Sequence, residues 1–159
     1  MDGKCDIAFL RSESSSVKEF NSIPYMIDYL TAVLPATHPL AKADNLPFEQ
    51  LRGETFLLFP EHSFINDLCI RECRNAGFEP HIAYTGNRGA TLIDLVRNGA
   101  GITLMMHHSA RQENDSSLAF IPVTPGIYSY ISLNYAKEKP LSPQAESFVR
   151  YVKAHKRDF

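Results

Sequence analysis

Two short segments place polar groups where a small anion would be held. Phe59-Pro60-Glu61-His62-Ser63 follows a continuous apolar run, Thr55-Phe56-Leu57-Leu58-Phe59, and precedes a helical pattern. It therefore joins the carboxyl end of a buried strand to a helix N-terminus, where free backbone N–H groups and the positive helix pole favour negative charge. The Ser63 hydroxyl adds a short donor; it is equally a natural cap for the helix, and one residue can do both. Thr85-Gly86-Asn87 is the equivalent corner after the next strand. Phe59 and Pro60 offer apolar cover for a ligand's body.

The other reactive residue types are less informative. Cys69 and Cys73 are four apart on a helical pattern and share a face. No second Cys/His pair at ligand spacing accompanies them, so they read as core cysteines. His107 and His108 are adjacent; in an extended chain they point to opposite sides and cannot share a metal. His38-Pro39 reads as a structural turn. G-x-S-x-G, H-E-x-x-H and G-x-x-x-x-G-K are all missing. Triads assemble in space rather than in sequence, so this leaves an enzyme reading without a positive argument. The reading is a non-enzyme with no catalytic residue, no metal and no cofactor.

The elements that must position the two corners are well punctuated. Ser63 starts a helix whose apolar positions Ile65, Leu68, Cys69, Cys73 and Ala76 follow helical spacing. Gly77 ends it in a left-handed residue, Pro80 forbids continuation, and His81–Tyr84 follows as a strand. Asn87 or Gly89 starts a second helix with Leu92, Leu95 and Val96 inward, ended by Gly99 before a strand at Ile102–Met105. Both junctions pass from helix into a buried strand, and their spacing of about 30 residues is that of βαβ units. Thr55–Leu58, His81–Tyr84 and Ile102–Met105 are therefore expected as neighbouring, largely parallel strands of one sheet.

Upstream, Cys5–Leu10 is a strand and Arg11–Ser16 a polar loop. Ile23–Ile27 and Tyr29–Leu34 are strand material, with Pro24 marking an edge or irregular start. Pro35–Asn45 is a loop, and Pro47–Leu51 a short helix starting on proline. Downstream, Arg111–Ser117 is a surface loop, and Leu118–Val123 is a short strand. Ile127–Tyr135 is a strand with Ile127, Ile131, Leu133 and Tyr135 on one face. The last helix has Ser142 as cap, Pro143 in its first turn and Ala145, Phe148, Val149 and Val152 as its buried stripe. His155, Lys156 and Arg157 sit near its negative pole.

With 159 residues, 44% hydrophobic and 21% charged, the composition is that of a globular protein of one domain or two small lobes. A formal net charge of −2 gives no electrostatic reason to bind nucleic acid. No apolar run approaches the ~20 residues of a membrane helix, and the start lacks a signal peptide, so a cytoplasmic location is expected.

Five segments carry a resemblance. Gly3-Lys4-Cys5-Asp6-Ile7-Ala8 is similar to the "G-x-x-D-[IL]-A" strand of LysR-type transcriptional regulators, and Val33-Leu34-Pro35 with His38-Pro39-Leu40-Ala41 to their "VLP…HPLA". Cys73–Pro80 resembles "C-x-x-x-GF-x-P", Val96–Leu104 resembles "V-x-x-G-x-GI-x-L", and Leu141-Ser142-Pro143 with Phe148 resembles the closing helix. The order is collinear over nearly the whole chain. One departure is Met106, where the family often has proline.

The resemblance implies an effector-sensing domain with the type 2 periplasmic-binding-protein fold: two α/β lobes around a cleft. Residues 21–122 would form the second lobe, and 1–16 with 124–159 the remainder of an incomplete first lobe. The family's winged helix-turn-helix would be absent, as would roughly 60 residues of the first lobe, two units of about 30 each. Both corners (Phe59, Pro60, His62 and Ser63; Thr85, Gly86 and Asn87) would face the cleft. Leu10 and Arg11 would reach it from the first lobe, where Arg11 could pair with a carboxylate or remain a solvated loop arginine. The implied partners are a small, anionic effector, further copies of the chain in a dimer or tetramer, and DNA only through the absent domain. The alternatives are a solute-binding protein of the same fold acting in uptake, and an enzyme on a similar scaffold.

Overall fold

The computed structural model describes residues 5–111 and 115–155, which divide into two compact units, Met1–Asp28 with Tyr128–Phe159 and Tyr29–Ile127. The unit boundaries thus fall at Asp28/Tyr29 and Ile127/Tyr128, where the sequence reading put the second lobe at 21–122. Gly3, Lys4, Lys156, Arg157 and the middle of the 111–117 loop lie outside the described residues.

In the first unit, β1 (Ile7–Ser12) pairs antiparallel with β8 (Tyr128–Ala136), and β2 (Phe20–Pro35) lies on the other side of β8. Arg11 is therefore a strand residue opposite Ile131, not part of a polar loop. β2 runs unbroken through Pro24 and continues into the second unit. The helix α4 (Pro143–His155) packs Val149 and Val152 on Ile23 and Leu133. Its cap is as expected: the Ser142 hydroxyl accepts from Ala145 N and donates to Asp6 at 2.8 Å. Phe148 leaves the expected stripe; it is 43% exposed, and its ring meets Phe9 edge-on. β8 keeps Leu133 inward but also buries Ser132 and Asn134, which are satisfied locally: Ser132 donates to Ser15 O, and Asn134 accepts from Ser22.

The second unit is three-layered. β4 (Thr55–Leu58) is buried on both faces: Phe56 and Leu58 join the cluster of α1 (Phe64–Asn75), while Leu57 joins that of α2 (Gly89–Arg97). Such continuous burial is what an apolar run of strand length signals. β4 pairs in parallel with β5 (His81–Thr85), as expected. The third expected neighbour differs. β6 (Thr103–Met106) pairs antiparallel with β2, and meets β4 only through a parallel bridge, Phe56 to Ile102. Ile102 N donates to Thr55 O at 2.8 Å, and Leu57 N to Ile102 O at 2.8 Å. Gly101, at φ +154°, makes this approach possible, because a Cβ there would lie 2.3 Å from Thr55 O. The long β2 then takes up the remaining length of β6. Its other neighbour is β7 (Leu118–Thr124), to which β3 (Leu46–Pro47) adds in parallel.

Helix ends follow the sequence signals. Gly77, at φ +79°, donates to Arg74 O while Phe78 N reaches Cys73 O, the paired bonds of a Schellman stop. Other local expectations are corrected. All five residues of β5 are exposed, because its pairing in the described sheet is to β4 alone, so the first junction does not lead to a buried strand. The 35–45 stretch contains a 3-10 turn at Pro39–Lys42, and the second short helix is 3-10 as well, Phe48–Leu51, preceded rather than opened by Pro47. His107 and His108 open a one-turn helix, α3 (His107–Ala110), rather than lying in extended chain. His38 is structural: its Nδ1 accepts from Leu40 N, and its Nε2 lies 3.3 Å from Glu54.

Candidate functional site

β4, β5 and the start of β6 are parallel, so their carboxyl ends reach one edge of the second unit. Ligands of open α/β sheets bind beyond such ends. Phe59, Pro60, His62, Ser63, Thr85, Gly86 and Asn87 all lie there. Leu10 and Arg11 belong to the first unit. The Arg11 guanidinium is held by Asp28, which is 3% exposed, at 3.2 Å, and by the Ser129 hydroxyl at 2.6 Å. That geometry ties β1 to β2 and β8 and uses the donors a carboxylate ligand would need.

At the first corner the Ser63 hydroxyl is already employed. It donates to Pro60 O at 2.7 Å and accepts from Asn66 N at 3.3 Å, so the capping role is the one it performs. Ser63 N donates back to Pro60 O. The N–H groups of Phe64 and Ile65 have no acceptor within the helix, as at every helix start. His62 holds φ +63°, a left-handed conformation uncommon for a residue with a side chain. Asn66 completes the corner from inside the protein: it is 1% exposed and donates from Nδ2 to Phe59 O at 2.8 Å. Sequence reading missed it, although a polar residue between inward-facing Ile65 and Leu68 was a usable signal.

The second corner is the more open to an anion. Gly86 N continues the β4 ladder by donating to Leu58 O at 3.0 Å. The next helix, α2, starts without a side-chain cap, because Arg88 occupies that position and makes no such bond. Its first-turn donors therefore meet the positive pole with nothing of the chain's own to neutralise it. A Cβ on Gly89 would lie 2.8 Å from the Met105 methyl and 3.7 Å from the Phe59 ring, so an apolar wall stands directly beside this helix start.

Elsewhere the chemistry is poorer. Cys5, Cys69 and Cys73 are free, and the latter two are buried in the face that α1 turns to the sheet. Burial pushes the Cys73 thiol up to about 12, and Cys69 rises well above the ordinary thiol range for the same reason. A groove of about 320 Å³ in the first unit is lined by Phe9, Tyr25, Phe148 and Tyr151 among others, an apolar surface without converging donors. Among the described residues, no group of three or more His, Cys, Asp or Glu is placed to hold a metal, and no helix is long and apolar enough to cross a membrane.

Comparison with known proteins decides the family. The model of the LysR substrate binding domain matches residues 1–157. The chain belongs to the LysR substrate-binding-domain family. This LysR domain is 26% identical over 148 residues to the transcriptional dual regulator GltC of Bacillus subtilis, covering 92% of the chain and 49% of that protein. It is 24% identical over 155 residues to a hydrogen peroxide-inducible genes activator of Pectobacterium carotovorum, covering 96% and 50%. Among solved structures, the CcmR regulatory domain of Synechocystis PCC6803 in complex with 2-PG superposes with a TM-score of 0.87 at 17% identity, covering 99% of this chain and 76% of that one. The reduced form of OxyR superposes with a TM-score of 0.72 at 24% identity, covering 96% and 71%. The periplasmic-binding-protein-like α/β fold is thus shared with LysR regulatory domains. The LysR domain spans about half the length of the curated relatives it matches, and those relatives are transcriptional regulators rather than enzymes.

Proposed function

We propose that this LysR domain is the effector-sensing part of a transcriptional regulator. It binds a small carboxylate or phosphate at the carboxyl edge of β4 and β5, around Phe59–Ser63 and the first turn of α2. The observation that carries the reading is the uncapped start of α2 beside Phe59, in a chain whose family is one of regulator domains. Binding controls transcription allosterically: the effector must favour one arrangement of the regulator over another, since equal affinity would shift nothing. DNA contact falls to a part of the regulator outside this sequence, because net charge −2 supplies no counterion-release term here. The regulator works in the cytoplasm as a homo-oligomer and performs no catalysis.

Uptake and enzyme readings have no observation that favours them. Nor do the α1 cysteines support peroxide sensing, since a buried thiol with a raised pKa is a poor source of thiolate.

The test is a titration of the protein with small carboxylates and phosphates, beginning with 2-PG, followed by calorimetry and amide NMR. Shifts should centre on residues 59–65 and 85–90. Asn87→Asp sets a negative charge beside the helix start and should weaken binding at least tenfold. A bound anion whose shifts avoid both segments, or one indifferent to Asn87→Asp, overturns the site.

A further inference from the structure

The edge that carries the two corners has a third strand end. β6 is parallel to β4 at the Phe56–Ile102 bridge, so Met106 and then His107 emerge on the same side as Phe59 and Thr85. On its other flank β6 pairs with β2, Thr31 opposite Met105 and Leu30 opposite Met106. The next step of that register sets Tyr29 beside His107, and their rings stack with centroids 4.3 Å apart and planes at 20°. Thr31, fully buried, places its hydroxyl 3.3 Å from His107 Nδ1. The imidazole is thus fixed on one face and at one nitrogen. When Thr31 donates to Nδ1, the ring proton sits on Nε2, which becomes a donor.

The ring is also on the relevant face of the sheet. Met105 joins Leu92, Ile93 and Val96 on the α2 side, and His107 follows it by two residues, the strand repeat. Met105 and Phe59 both abut the position of Gly89 at the start of α2. His107 is one strand step beyond Met105, toward the edge where α2 begins.

We infer that His107 is a specificity-determining residue of the effector site, its Nε2 donating to an oxygen of the anion held at the first turn of α2. The inference rests on the effector-site reading above. It assigns the Tyr29 stack and the Thr31 contact as the devices that orient the ring, and it favours ligands whose charged head offers a second acceptor oxygen, as carboxylates and phosphates do.

The test compares four proteins with two probes, 2-PG and inorganic phosphate: wild type, Asn87→Asp, His107→Phe, which keeps an aromatic ring against Tyr29 but has no donor, and His107→Gln, which keeps a donor. The His107 ring resonances and the amides of 85–90 should shift along one saturation curve. His107→Phe should weaken binding about tenfold, the loss of one hydrogen bond to a charged acceptor, and His107→Gln should recover most of it at an unchanged thermal midpoint. Wild-type affinity in His107→Phe, with binding still weakened by Asn87→Asp, overturns the role of His107 and leaves the site standing. Equal weakening by both His107 variants with a lowered midpoint marks the residue as structural and overturns it too. Absence of shifts at 59–65, 85–90 and His107 with both probes overturns the inference and the site together.

Discussion

Asn66 and Phe59 are joined by a 2.8 Å hydrogen bond from a buried side-chain amide to a backbone carbonyl, so the inside of α1 holds the end of β4 in place. The same residue's backbone N–H is taken by Ser63. One asparagine therefore serves both the strand end and the helix start of the candidate site.

Asn66→Leu should cost about 1–3 kcal/mol in urea unfolding, because it strands the Phe59 carbonyl away from water. Wild-type stability in this variant would mean that the carbonyl finds another donor.

His62 should respond in the opposite direction. Its φ of +63° is one that glycine adopts without strain. His62→Gly should raise stability by about 0.5–1 kcal/mol, less the extra entropy of the unfolded glycine chain. A loss of stability would show that the imidazole itself contributes contacts.

Thr103 carries a buried hydroxyl without a hydrogen-bond partner, on a strand that is buried throughout. Thr103→Val keeps the shape and removes the stranded group, so a gain of about 1 kcal/mol is expected in thermal or urea unfolding. No gain would indicate that the hydroxyl is satisfied in solution.

The cysteines of α1 supply a pH test. Their folded-state values lie above the ordinary 9.0, Cys73 reaching about 12 because it is buried. Both thiols remain protonated in the folded protein while the unfolded chain ionises, so stability should be full below about pH 9 and fall as the pH rises from there toward 12. Cys69→Ala together with Cys73→Ala should flatten that alkaline slope. In the native protein at neutral pH, a thiol reagent should modify exposed Cys5 first. Labelling of Cys73 as fast as Cys5 would contradict its burial.

Local chemistry was legible in the sequence wherever one residue and its near neighbours decide the outcome. Ser63 caps α1, Gly77 and Gly99 stop their helices in left-handed geometry, and the Thr55–Leu58 run is buried on both faces. The two corners of the site follow from those signals, since a strand end and a helix start a few residues apart can only form a turn. What the tertiary structure decided are matters of partnership. β5 has the same strand-like composition whether covered or not, and its exposure depends on what pairs beyond it. β6 takes β2 as its antiparallel partner because Gly101 admits a single close contact with β4 and the long β2 supplies the rest. Arg11 reads as a free cation until the fold sets Asp28 and Ser129 against it. Pairings of this kind join residues far apart in the chain, and their energy depends on which surfaces meet, which residue spacing along the chain does not encode.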